Sequence, residues 1–64
     1  MIQPGNYTSR DGRPIIVRMQ YNDDQIRGII KMKYGDVWHT CFWDAETGRI
    51  SKTHEYGEDV MIQE

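Results

Sequence analysis

Three side chains in this sequence are of types that bind metals or act as nucleophiles near neutral pH: His39, Cys41 and His54. A structural zinc site wants four thiolate, imidazole or carboxylate ligands, usually in paired spacings. This chain has one cysteine and no Cys-x-x-Cys pair, so no metal or other cofactor is expected. Cys41 with His39 is also the single nucleophile–base candidate. Catalysis would require the two groups within about 2.6–3.2 Å and a third group to orient the base. Residues two apart on a strand have Cα atoms about 6.5–7 Å apart, and no orienting partner stands out. The acidic pairs Asp23-Asp24 and Glu58-Asp59 fall in turn-like stretches and lack the alternating oxygen ligands of a calcium loop. Asp11-Gly12 and Thr47-Gly48 are lone turn glycines, not a phosphate cradle. The chain reads as non-enzymatic, with no catalytic residues.

What remains is a surface. Arg18, Arg27, Lys31 and Lys33 should project to one side if the strands that carry them pair, with Ile16, Ile29 and one aromatic of 37–43 nearby. A basic patch with interleaved apolar and aromatic groups suits a protein partner, because Trp, Arg and their neighbours anchor interfaces. The expected partner-binding residues are Arg18, Arg27, Ile29, Lys31, Lys33, Trp38 and Trp43. The partner would be a host factor or a second copy of the chain, making a homodimer. Nucleic acid is the alternative, since small barrels hold single strands with cations along the backbone and rings against bases. A dedicated nucleic-acid domain usually has a pI above about 9, however, and this one is about 5.6. A weaker alternative is a small ligand sequestered at a subunit interface by Trp38 or Trp43. Charge divides unevenly: residues 1–33 carry six basic and three acidic side chains, residues 34–64 two and seven. Such asymmetry fits a head-to-tail self-contact or a polyanion-binding half. It is also what a small protein shows by chance.

Gly, Asp and Asn punctuate the chain at near-regular intervals and predict the scaffold. Asp11-Gly12 is a two-residue hairpin signal of type I′, which needs positive φ at both central positions. Tyr34-Gly35-Asp36 and 44–48 are further turns, the latter with Gly48 placed for the left-handed region. Strands are expected over 6–10, 14–21, 25–34, 37–43, 49–53 and 60–63. Alternation turns Ile15, Val17, Met19 and Tyr21 inward from the second, and Ile26, Gly28, Ile30, Met32 and Tyr34 from the third. Gly28 inside a strand predicts a bulge or bend that would coil the sheet. For 37–43 two choices stay open: Trp38, Thr40 and Phe42 share one face, and Val37, His39, Cys41 and Trp43 the other. No window holds a sustained helical apolar repeat. The fold class is therefore all-β: a small SH3-like barrel, or a strongly coiled antiparallel meander, of five to six short strands in one domain over 1–64.

The order of motifs resembles a group of short phage- and prophage-encoded proteins. Gly5-Asn6-Tyr7-Thr8-Ser9-Arg10-Asp11-Gly12-Arg13 opens the chain, Trp43-Asp44 with Gly48-Arg49 follows, and Gly57-Glu58-Asp59-Val60 closes it. The resemblance implies an SH3-like small barrel without an assigned function, acting in a bacterial host. It carries over no catalytic residue. A cytoplasmic location is also expected from the lone cysteine, which has no disulfide partner. No apolar run approaches the roughly 20 residues of a membrane span, and the N-terminus lacks the basic and apolar regions of a signal peptide.

Overall fold

The computed structural model describes residues 1–51 and 53–61. Five strands are present: β1 (Gly5–Ser9), β2 (Pro14–Gln20), β3 (Gln25–Lys31), β4 (Trp38–Asp44) and β5 (Val60–Met61). They form one antiparallel sheet in the order β4-β3-β2-β1-β5, curled into a half-barrel. No helix long and apolar enough to cross a membrane is found among the described residues.

Several local expectations change, three of them in the turns and connections. No described residue of 49–53 lies in a strand. The reason is that its backbone is bonded elsewhere: the Arg49 carbonyl accepts the Asp44 N–H, and the Ile50 N–H donates to the Asp59 carboxylate. β3 stops at Lys31, because the Met32 N–H donates to the Val37 carbonyl and closes a hairpin over Gly35. Tyr34 therefore stands 88% exposed in that hairpin instead of pointing inward. The third change is at Asp11-Gly12. Gly12 takes φ 91°, but no non-glycine residue among those described, Asp11 included, has positive φ, so the turn is not type I′. Gly12 N–H donates to the Ser9 carbonyl and Ser9 N–H to the Arg13 carbonyl, a three-residue loop ending in a left-handed glycine. Gly48 does take the left-handed region, at φ 73°. Of the expected strand 60–63, residues 62 and 63 lie outside the described residues.

The bulge expected at Gly28 is present and lies across from it, on β2. Val17 pairs with Gly28 and Met19 with Arg27, so Arg18 is the extra residue. A Cβ on Gly28 would sit 2.3 Å from the Ile16 carbonyl oxygen, closer than any real Cβ contact. Only glycine lets the bulged strand approach this near. The bulge also inverts the alternation behind it. Ile15 and Val17 face inward and are buried, but Met19 stands opposite Arg27 on the outer face. Tyr21 follows it there, its ring 4.7 Å from Phe42 in an edge-to-face pair.

The inner face carries the core: Ile15, Val17, Ile26, Ile30 and Trp43, closed off by Ile2, Ala45 and Val60, with Tyr7 and Cys41 partly buried beside them. The open choice on β4 is thereby settled. Trp43 is 0% exposed, and its indole Nε1 donates to the Glu58 carbonyl at 2.8 Å. Burying that indole in the concave side removes from water the largest apolar group the strand offers, and the carbonyl satisfies its one polar atom.

Candidate interaction face

The outer face of β2, β3 and β4 is a grid set by the register. Phe42, Arg27 and Met19 form one row, and Thr40, Ile29 and Ile16 the next. In a third, Trp38 stands beside Lys31. Met19, Tyr21, Trp38 and Phe42 are all exposed, with Ile16 and Ile29 half-buried between them. A shallow depression of about 250 Å³ lies on this face beside the bulge and Gly28. Met19, Ile29 and Thr40 line it together with Arg18 and Arg27. Neither guanidinium forms an ion pair among the described residues.

Of the residues expected to bind a partner, Arg18, Arg27, Ile29, Lys31 and Trp38 come together on this face. Lys31 is less free than the others, its Nζ lying 3.5 Å from an Asp36 carboxylate oxygen. Lys33 does not join them. It follows the end of β3, reaches to 3.9 Å from Asp11 Oδ2, and borders a separate open groove with Arg13, Tyr34, His39 and Glu58. Trp43 is the other correction: it belongs to the core and can neither anchor a partner nor line a ligand site on the surface. Met19 and Tyr21 were missed. The signal for them was Gly28 itself, since one inserted residue shifts every later side chain of the strand to the opposite face.

The motif residues at the start and end of the chain form a clasp. Asp59 is fully buried. Its carboxylate accepts the Ile50 N–H and the Tyr56 N–H, each at 3.0 Å, and an Arg10 guanidinium N–H at 3.2 Å. Burial by itself would raise this carboxyl, but the two backbone donors and Arg10 outweigh it and hold it below its usual value. Asp11 is lowered too: burial opposes, and the Ser9 hydroxyl, Arg13 and Lys33 overcome it. The Ser9 hydroxyl donates to Asp11 and accepts the Arg13 N–H, while the Arg13 guanidinium reaches Glu58 at 3.2 Å. Arg10 N–H to the Asp59 carbonyl and Asp11 N–H to the Gly57 carbonyl complete the seam. Ser9-Arg10-Asp11-Gly12-Arg13 and Gly57-Glu58-Asp59 are thus the two halves of one polar lock.

Cys41 and His39 share the inner side of β4, opposite Gly28 and Ile30. Burial, helped by the Glu58 carboxylate and partly offset by Arg13, pushes the Cys41 thiol up. An activated nucleophile needs the opposite shift. Among the described residues no three His, Cys, Asp or Glu side chains stand close enough to hold a metal ion. No family model, curated protein or solved structure matches this chain.

Proposed function

We propose that this domain is a non-enzymatic protein-interaction module whose binding surface is the outer face of β2, β3 and β4. One observation carries the reading. Among the described residues Arg18 and Arg27 are unpaired beside exposed Met19, Tyr21, Trp38 and Phe42, while Arg10 and Arg13 are engaged by carboxylates inside the fold. Exposed aromatics beside unpaired arginine are the composition of interface anchors, whereas a merely solvated face would carry short polar groups. The motif order supports a phage-type protein acting in the cytoplasm of a bacterial host.

Affinity capture with wild type and with the double variant Arg18→Glu/Arg27→Glu tests this. The reading expects a defined protein partner that the variant loses at an unchanged melting temperature. A partner held equally well by both would overturn it.

Nucleic acid is the second reading, favoured by the same two guanidiniums beside three exposed rings. The pairing of Lys31 with Asp36 and of Lys33 with Asp11 weighs against it, because the cations left for phosphate fall from four to two. Phosphate contacts make log affinity fall linearly with log salt. Titration of oligonucleotides across a salt series would show that slope, and absence of binding at low salt would remove the reading.

A further inference from the structure

We propose that a second copy of this chain docks along the free border of β4, extending the sheet antiparallel about a two-fold axis at Thr40. This rests on the interaction reading above and names one partner for it.

β4 is one of the two terminal strands of the sheet and, among the described residues, pairs with β3 alone. Which of its backbone groups face outward follows from the flanking hydrogen bonds. The Val37 carbonyl accepts from Met32, just after β3, and the Ala45 N–H donates to Asp24, just before it. Odd-numbered positions therefore direct their backbone groups toward β3. Because direction alternates along an antiparallel ladder, Trp38, Thr40 and Phe42 direct theirs to the open border. The next such position, Asp44, is already covered, since its N–H donates to the Arg49 carbonyl at 2.9 Å. At the other end the chain turns away through Gly35. The open run is Trp38, Thr40 and Phe42, with Thr40 at its centre.

A run of this length bounded at both ends has one two-fold register that uses all of it. Thr40 faces Thr40, and Trp38 faces Phe42 in both directions. Any other two-fold register leaves at least one open position unpaired. On the outer face the chosen register sets each exposed Trp38 against an exposed Phe42, an aromatic cross-strand pair. The electrostatics also select a copy of the same strand. Natural edges that stay single carry Lys, Pro or a bulge, and like charges directly opposite penalise self-pairing. The stretch 38–42 has no Lys, Arg, Asp, Glu or Pro, and no register shift interrupts it. The bulge that would twist an edge away lies two strands in, on β2. Pairing also joins two outer faces into one, and domains this small often lean on oligomerisation for stability.

Sedimentation equilibrium on the full chain over a wide concentration range, with Thr40→Lys and Thr40→Ser beside wild type, tests the proposal. The Thr40 side chain is exposed, so lysine is accommodated in the monomer, but in the dimer two lysines meet across the axis. The expected result is a concentration-dependent shift of wild type from 7.6 kDa to twice that mass. Thr40→Lys should weaken the association at least tenfold, with melting unchanged at concentrations where wild type is monomeric, and Thr40→Ser should retain it. A single 7.6 kDa species at every concentration, or a dimer that Thr40→Lys leaves intact, would overturn the proposal. If either occurs while capture still depends on Arg18 and Arg27, the second copy is rejected and the interaction face stands. If capture is also indifferent to them, the face falls as well.

Discussion

Two arginine-bearing regions of this small sheet are built in opposite ways. At the clasp, Arg10 and Arg13 are matched by Asp59, Asp11 and Glu58, and the buried carboxylate is bonded by two backbone amides as well. On the outer face Arg18 and Arg27 have no carboxylate partner among the described residues and stand beside exposed aromatic groups. The same residue type thus closes the fold in one place and is left available in the other. Positive charge in the sequence therefore says little about binding until its pairing is known. β4 repeats the contrast in its two tryptophans: Trp43 is sealed in the core, and Trp38 is 38% exposed.

The largest effect should come from breaking the tryptophan contrast. Trp43→Ala removes a fully buried indole, a change that costs about 3–5 kcal/mol. That is as much as a core of this size supplies, so the variant should show no cooperative melting transition by circular dichroism. Trp38→Ala should melt nearly as wild type does.

Next comes the clasp. Asp59→Ala leaves the part-buried Ile50 and Tyr56 amides and Arg10 without their acceptor. An unsatisfied group there costs up to about 1–3 kcal/mol, to the extent that water is kept from it. Denaturant unfolding should show a loss of that combined order. Arg18→Glu/Arg27→Glu, by contrast, should stay within about 0.5 kcal/mol of wild type, as substitutions at unpaired surface positions do.

Gly28→Ala sharpens the boundary between the regions. The added methyl meets the Ile16 carbonyl oxygen and Val17 Cα, so backbone must shift. Overpacking of this kind costs about 1–3 kcal/mol. Because the bulge sets the positions of Met19 and Tyr21, the edge-to-face pair with Phe42 should be disturbed too, visible as a changed near-ultraviolet signal.

The smallest effect is that of pH. Asp59 and Asp11 are both held below their ordinary value of 3.8 in the folded chain. The unfolded chain then binds protons first on acidification. The stability they contribute is present above about pH 4 and is lost as pH falls through the folded values. Melting temperature should decline below pH 4 in wild type and in Arg18→Glu/Arg27→Glu alike, and Asp59→Asn should flatten part of that decline.

Much of this fold is legible in the sequence because turn chemistry and alternation are local signals. The hairpins at Asp11-Gly12 and Gly35, the four longer strands and the inward set Ile15, Val17, Ile26 and Ile30 all follow from them. Segment 49–53 departs from the expected strand because the Ile50 amide bonds to the Asp59 carboxylate nine residues away, a partner that apolar patterning does not reveal. The candidate face was half visible. Arg27, Ile29 and Lys31 follow from strict alternation, but Met19 and Tyr21 required carrying the Gly28 bulge through the rest of β2. The choice between the two faces of β4 needed the tertiary fit of Trp43 against Glu58.

Amide hydrogen exchange over a dilution series compares the two regions most directly, since it reads both in one sample. The amides of Arg10, Asp11 and Asp59, bonded within the chain, should keep the same protection at every concentration. Those of Trp38, Thr40 and Phe42 should exchange freely when dilute and become protected as concentration rises, while Cys41 and Trp43, which face β3, stay constant. If Trp38, Thr40 and Phe42 exchange freely even at the highest concentration, the border of β4 is not where a second copy binds.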